Sequence, residues 1–327
     1  MIDELTALIR IKGRFGKVSK SVQLGIGDDA AAVKIHPDNL LLATVDSQVE
    51  DIHFIKKLIL AKDLARRSVA VSASDIGAMG GIPRFFLASL GISKEEDESF
   101  LEDLIEGFRK AEEEFGLELI GGNLSGSDKL FIDITVLGEV EPDIMVKRSG
   151  AGVGDAIYVS GTLGDSALGL KVLHNGRRDE KDDYLISRHI FPEPRLKLGR
   201  ELAKRRLAKA MIDISDGLLL DLERITMEFG LGAEIEVGQI PTSTYYRERV
   251  LNFASELHEF AVSGGEDYEL LFTSPGGKKG EIKEVAELLN VDITEIGYVT
   301  AEPQIRVVDR ERKETKLKNR GFIHFNT

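Results

Sequence analysis

Apolar positions along the chain keep two rhythms, and the period separates helix from strand. Residues 3–11 alternate polar and apolar at helical spacing and predict a short amphipathic helix. Further helices are expected over 63–79 and 95–115, the second acidic and ended by Gly116, as helices often are. Strands are expected over 31–35, 40–46, 84–91, 117–121 and 130–138, with residues 122–126 as a link between the last two. Residues 12–20 are basic, contain Gly13 and Gly16, and read as a loop, either a solvated one or one that closes over an anion. His36-Pro37-Asp38-Asn39 is a strong turn signal.

Near residue 138 the pattern turns polar and rich in Gly and Pro, which sets a domain boundary between 1–138 and 139–327. Beyond it, strands are expected over 156–160, 233–237, 268–273, 295–299 and 304–308. Helices are expected over 165–173, 195–206, 217–229, 245–257 and 280–289. Strands and helices mix in both halves, so the class is α/β plus α+β.

Composition narrows the function more than the fold. At 327 residues the chain is long enough for two domains with substantial cores. A net charge of −13 offers no basic field to nucleic acid. No cysteine is present, so thiolate metal sites and cysteine nucleophiles are excluded, and a reducing cytoplasmic setting fits. The start, Met1-Ile2-Asp3-Glu4, lacks the basic region of a signal peptide. No apolar run approaches the roughly 18 residues that span a bilayer, so no membrane role is expected.

Candidate chemistry begins at Gly25-Ile26-Gly27-Asp28-Asp29-Ala30, where two adjacent carboxylates precede a small-residue strand. An Asp-rich surface turn is the plainer account. A bound cation is the other, because like charges at a core edge need a counter-charge. Asp46, Asp75, Asp213 and Asp216 stand in similar settings, at strand ends or among Gly, Ser and Ala. Ser215 or Asp216 can cap the helix that follows, which explains one acid there and not both.

Oxygen ligands without His or Cys select Mg²⁺ or Ca²⁺ over Zn²⁺, and no EF-hand loop occurs. Several Mg²⁺ ions held by such acids would bridge the phosphates of a nucleotide. The familiar nucleotide signatures are absent: there is no phosphate loop of the Gly-x-x-x-x-Gly-Lys-Ser/Thr type, and Gly150-Ala151-Gly152-Val153-Gly154 precedes its strand where a dinucleotide fingerprint follows one. His53 stands close to Glu50 and Asp51, and its default role is that of a hydrogen-bonded partner of a neighbouring acid. In Ser263-Gly264-Gly265-Glu266-Asp267-Tyr268, the double glycine either brings backbone close to a ligand or forms a bulge entering a strand.

The ordered set of motifs resembles the thiamine-monophosphate kinase family. The resemblance runs from residue 25 to 272. It comprises Gly-Ile-Gly-Asp-Asp-Ala at 25–30, Thr-Val-Asp-Ser at 44–47 with His53-Phe54, and Ser-Asp-Ile-Gly-Ala-Met-Gly-Gly at 74–81. Leu-Ile-Gly-Gly-Asn at 119–123, Asp-Ile-Ser-Asp-Gly at 213–217 and Gly-Gly-Glu-Asp-Tyr-Glu-Leu-Leu-Phe at 264–272 complete it. The wider superfamily includes aminoimidazole-ribotide synthetases, selenophosphate synthetases and a hydrogenase-maturation dehydratase. The last two rely on Cys or selenocysteine, which this chain lacks.

The resemblance implies a two-domain, aminoimidazole-ribotide synthetase-like fold whose N-terminal sheet pairs across a homodimer. It implies Mg²⁺-dependent transfer of the γ-phosphoryl group of ATP to thiamine monophosphate, giving thiamine diphosphate and ADP. The alternatives are an amidine-forming ligase of the same superfamily and a non-catalytic Mg²⁺-nucleotide-binding protein. Carried over by position, Asp29, Thr44, Val45 (through its carbonyl), Asp46, Asp75, Asn123, Asp213 and Asp216 are metal ligands, with Asp28 an acceptor behind Asp29. Gly122, Asn123, Arg148 and Ser215 contact ATP or its metals, and Arg148 is the catalytic cation. His53, Glu266 and Phe322 contact the thiamine substrate. Many relatives carry Asp where this chain has Asn123, followed by Thr-Thr or Thr-Ser and Arg; here Leu124-Ser125-Gly126 follows, and no Arg is available there.

Overall fold

The computed structural model describes residues 4–15, 18–26, 30–176, 179–315 and 320–321. Asp28, Asp29 and Phe322 lie outside the described residues. The chain divides into two compact units, Met1–Ile76 with Gly81–Asp143, and Gly77–Gly80 with Ile144–Thr327.

The first unit is built on a four-stranded sheet in the order β3-β6-β4-β5, from β3 (Leu40–Val49), β4 (Ile82–Ile92), β5 (Glu118–Gly126) and β6 (Phe131–Val140). β6 runs antiparallel to both β3 and β4, while β4 and β5 are parallel. A parallel pair needs a crossover. The long helix α3 (Glu98–Phe115) supplies it, opened by the Asp97 side chain accepting from the Phe100 N–H and closed by Gly116 in the left-handed region at φ 70°.

Alternation along β6 buries Ile132, Ile134 and Val136. They share that buried set with Phe86, Ala88 and Leu90 of β4 and with Leu101, Leu104 and Phe108 of α3. The Phe86 and Phe108 rings lie 6.0 Å apart. Helix α2 (Ala61–Ala78) also meets this face, where the Ser72 hydroxyl donates to the Ile134 carbonyl. On the other face Leu41 is 50% and Val45 62% exposed. A short hairpin of β1 (Val22–Leu24) and β2 (Ala32–Val33) adds Val22 to a small cluster with Phe85 and Ile120. Helix α1 (Glu4–Phe15) ties to α3 through Arg10, which bonds Glu98 and Glu102.

The second unit carries a six-stranded sheet in the order β12-β9-β11-β7-β10-β8. Its strands are β7 (Ala156–Ser160), β8 (Ala210–Asp213), β9 (Gly232–Glu236), β10 (Leu270–Ser274), β11 (Ile293–Thr300) and β12 (Ile305–Val308). All neighbours are antiparallel except β12 with β9. The helices are α4 (Asp165–Asn175), α5 (Glu180–Ile190), α6 (Leu196–Lys204), α7 (Leu218–Ile225), α8 (Thr244–Arg249), α9 (Glu259–Ser263) and α10 (Lys279–Leu289). One core packs Leu198 and Leu202 of α6 and Ile282 and Val285 of α10 with Tyr158, Met211, Leu270 and Phe272 of the sheet.

Several expectations change. Residues 12–15 continue α1 instead of opening a loop. Residues 122–126 belong to β5, because the glycines there allow close pairing: a Cβ on Gly122 would collide with the Ala88 carbonyl. The strand expected over 31–35 shrinks to two residues, and the helix expected over 245–257 stops at Arg249. Strands β1 and β8 and helices α5 and α9 were not anticipated. β8 has only four residues, all buried, too few for a periodic signal. α5 is charge-rich and announces itself through a capping box at Asp179, not through an apolar stripe.

Candidate functional site

In the first unit the candidate residues gather where β3 lies along α2. Residues of one parity on β3 face the helix. Gln48 accepts from Arg67, and the Thr44 hydroxyl donates to Asp75 Oδ2 at 2.5 Å. Arg67 and Asp75 lie eight residues apart on α2, two turns along one helical face. Asp46 sits between Thr44 and Gln48 in this row. Its Oδ2 is buried and has no hydrogen-bond partner. Burial and then the nearby Asp75 charge push the Asp46 carboxyl up to about 6, a shift that the neighbouring Ser72 hydroxyl opposes. Ser74 Oγ is likewise buried without a partner.

An unpartnered carboxylate oxygen beside a second acid is costly unless a cation joins it. Donors that are all oxygen fit a hard divalent ion such as Mg²⁺. Among the described residues no group of three or more His, Cys, Asp or Glu is assembled.

The sheet register places the other first-unit candidates apart from this pair. Asp46 lies opposite Ile134, Ile134 opposite Ala88, and Ala88 opposite Gly122. Gly122 therefore shares a row with Asp46 from the far edge strand, three strand spacings or about 14 Å away. Asn123 lies in the next row, which runs Ser47, Asp133, Ser89, Asn123. Val45 points to the open face. His53 follows β3; its Nδ1 accepts from the Val49 N–H at 3.1 Å, and its backbone N–H donates to the Val49 carbonyl.

In the second unit two loops lie against each other. Asp213, buried, ends β8 and leads into Ser215-Asp216-Gly217. The Glu266 N–H donates to the Ser215 carbonyl at 2.8 Å and the Tyr268 N–H to the Ile214 carbonyl at 2.9 Å. The double glycine serves this packing. A Cβ on Gly265 would collide with the Ser215 carbonyl, and Gly217, at φ 116°, passes beside Ser263. Glu266 and Tyr268 hold φ values of 66° and 51°, unusual for residues with side chains and common where a site is held under constraint.

Neither Ser215 nor Asp216 caps α7; its N-cap is Gly217, without a side-chain bond. Asp221, inside the first turn, instead holds the loop that leads into the helix. Its Oδ2 accepts from the N–H groups of Ser215, Asp216 and Gly217 at 3.1, 3.1 and 3.2 Å. Arg224 bonds Asp221 Oδ1 at 2.6 Å and Asp216 Oδ2 at 2.5 Å.

The motif around Glu266 divides by role. Glu266 faces His189 Nδ1 at 3.4 Å. Asp267 accepts from the Gly164 and Ser166 N–H groups at the start of α4. Glu269 is fully buried and receives Arg188, Arg195 and the Ser160 hydroxyl, a set of donors that holds its carboxyl below the usual range despite burial. Arg148 is exposed and follows Lys147, which bridges in parallel to Ala210 at the start of β8. Sequence reading missed Asp221, Arg224 and His189. Asp221 carried a signal, as an acid inside the apolar run Leu218-Leu219-Leu220-Asp221-Leu222.

This pair of sheet-based units, with acids on strand ends and glycine-rich loops, defines a class. Residues 27–140 match the AIR synthase related protein N-terminal domain, and residues 152–310 match its C-terminal domain. The chain is 36% identical over 306 residues to the thiamine-monophosphate kinase of Buchnera aphidicola from Acyrthosiphon pisum, covering 92% of each chain. The crystal structure of thiamine-monophosphate kinase from Stenotrophomonas maltophilia superposes with a TM-score of 0.84 at 31% identity, covering 94% of this chain and 97% of that one. AaThiL complexed with AMPPCP and TMP superposes at 0.78 with 33% identity, covering 98% and 97%. The chain belongs to the thiamine-monophosphate kinase family.

Proposed function

We propose that this chain transfers the γ-phosphoryl group of ATP directly to the phosphate of thiamine monophosphate, in line and with Mg²⁺, giving thiamine diphosphate and ADP. The observation that carries the reading is the buried, unpartnered Asp46 oxygen beside Asp75, in a chain of this family. A relative solved with AMPPCP and TMP supports ATP and thiamine monophosphate as the substrates. Asp29, Thr44, Asp46, Asp75, Asn123, Asp213, Asp216 and the Val45 carbonyl hold the Mg²⁺ ions. Bound Mg²⁺ supplies the positive charge that lets two anionic phosphates approach.

Gly122, Asn123 and Ser215 orient the nucleotide. Arg148, exposed and cationic, neutralises charge on the transferring group. The acceptor phosphate is ionised at neutral pH, so no side chain needs to remove a proton. Glu266, His53 and Phe322 receive the thiamine end, where a carboxylate and an aromatic ring suit the thiazolium cation. In this reading residues 1–138 form the nucleotide-binding domain and 139–327 the second domain. The apolar open face around Leu41 and Val45 supports sheet pairing in a homodimer. Among the described residues no helix is long and apolar enough to cross a membrane, in keeping with a cytoplasmic enzyme.

A coupled assay for ADP with ATP, Mg²⁺ and thiamine monophosphate tests the proposal, and steady turnover is the expected result. ATP binding without turnover overturns it. Turnover only with an amidoribosyl substrate would place the chain among the amidine-forming ligases.

A further inference from the structure

We propose that Asp221, acting with Arg224, is a positioning residue that pre-forms the acidic loop Ser215-Asp216-Gly217 before any ligand enters. The inference rests on the functional reading above only for what the loop binds. Asp221 has no exposed surface, yet it sits in an apolar stretch of α7 with both oxygens in use. One oxygen gathers three consecutive N–H groups; the other takes Arg224. Three N–H groups converging on one anion fix the backbone far more tightly than a neutral cap does, because bonds to a charged acceptor are about twice as strong.

Arg224 then reaches Asp216, so the carboxylate assigned to the metal is aimed by a guanidinium anchored on Asp221. The held loop also fixes its neighbour. The Ser215 carbonyl accepts the Glu266 N–H, and Gly265 has no side chain because that carbonyl occupies the space. One buried carboxylate thereby sets Asp216 and, through Ser215, the backbone of Glu266. A cap serving only the stability of α7 would need neither Arg224 nor its bond to Asp216.

Asp221→Asn keeps the size and one acceptor but loses the charge and repels Arg224. Hydrogen exchange on the ligand-free full chain reads the loop directly: the amides of residues 215–217 should exchange about tenfold faster in D221N, with the core amides of β8 and β10 unchanged. Titration of Mn²⁺ into the protein with AMPPCP reads the consequence. The dissociation constant should rise about tenfold, the usual range for a residue that orients a metal ligand.

If D221N fails to fold, Arg224→Gln decides, because Arg224 is one-third exposed and its replacement spares the core; a smaller rise in the same direction is expected. Unchanged exchange at the three amides in folded D221N overturns the proposal. So does unchanged or tighter Mn²⁺ binding in whichever variant folds. If the wild-type chain neither binds Mn²⁺ with AMPPCP nor turns over, the functional reading falls, while the exchange result still decides whether Asp221 holds the loop.

Discussion

The acids on β3 and α2 and the acids around α7 and β10 are alike in sequence and opposite in structure. Asp46 keeps an oxygen without a partner, raised by burial and by Asp75. Glu269 meets two arginines and a hydroxyl, Asp267 two helix-start N–H groups, and Asp221 three N–H groups and an arginine. A satisfied buried acid organises the chain around it. An unsatisfied one costs stability unless a cation joins it. Residue type beside glycine does not separate these roles; the hydrogen-bond inventory does.

The largest effects should fall in opposite columns. Asp46→Asn or Asp75→Asn should lower phosphoryl transfer by about 10³-fold, on the scale of losing a preorganised electrostatic contact. Tm should stay level or rise, because the repulsion between the two carboxylates disappears. Near-wild-type rates at saturating Mg²⁺ in either variant would remove that residue from the site.

Glu269→Ala should do the reverse and destabilise by about 3–5 kcal/mol, since Arg188 and Arg195 would be left buried without their counter-charge. Denaturant unfolding measures it, and a loss below 1 kcal/mol would break the contrast.

Gly265→Ala comes next. A Cβ against the Ser215 carbonyl forces the two loops apart at a cost of about 1–3 kcal/mol. Because Glu266 moves with that loop, KM for thiamine monophosphate should rise more than KM for ATP.

The smallest effect concerns Glu112, an intermediate case. Its carboxylate accepts one N–H, from Leu119, and burial followed by the charges of Glu118 and Glu113 pushes it up to about 7. The folded chain therefore holds a proton that the unfolded chain releases near pH 4.5. Stability contributed by this group is present below that pH and is lost as pH rises to about 7. Water reaches part of the group, so the loss should be about 1 kcal/mol or less. Glu112→Gln should flatten stability between pH 5 and 8, and an unchanged pH profile of Tm would refute this.

Much of the fold was legible because period and punctuation are local. The strand at 156–160 was read with its observed bounds, α3 was read to its last residue, and Gly116 was read as its stop. Other elements were hidden for local reasons too. β8 is too short to show a period, and the glycines of β5 mimic a loop while serving a tight strand pair.

The order of motifs, from Asp46 and Asp75 to Asp216 and Glu266, pointed to the family that the relatives show and implied the chemistry proposed for it. Only the tertiary structure decided which acids are partnered. It gave Asp75 to Thr44, left Asp46 short of a partner, and put Asn123 at the opposite edge of the sheet from Thr44 and Asp46. It also showed that neither Ser215 nor Asp216 caps α7, as the sequence allowed, and that Asp221 accepts their N–H groups instead. The physical reason is that residue type and spacing are properties of the chain, whereas the satisfaction of a buried charge depends on groups brought to it from distant segments.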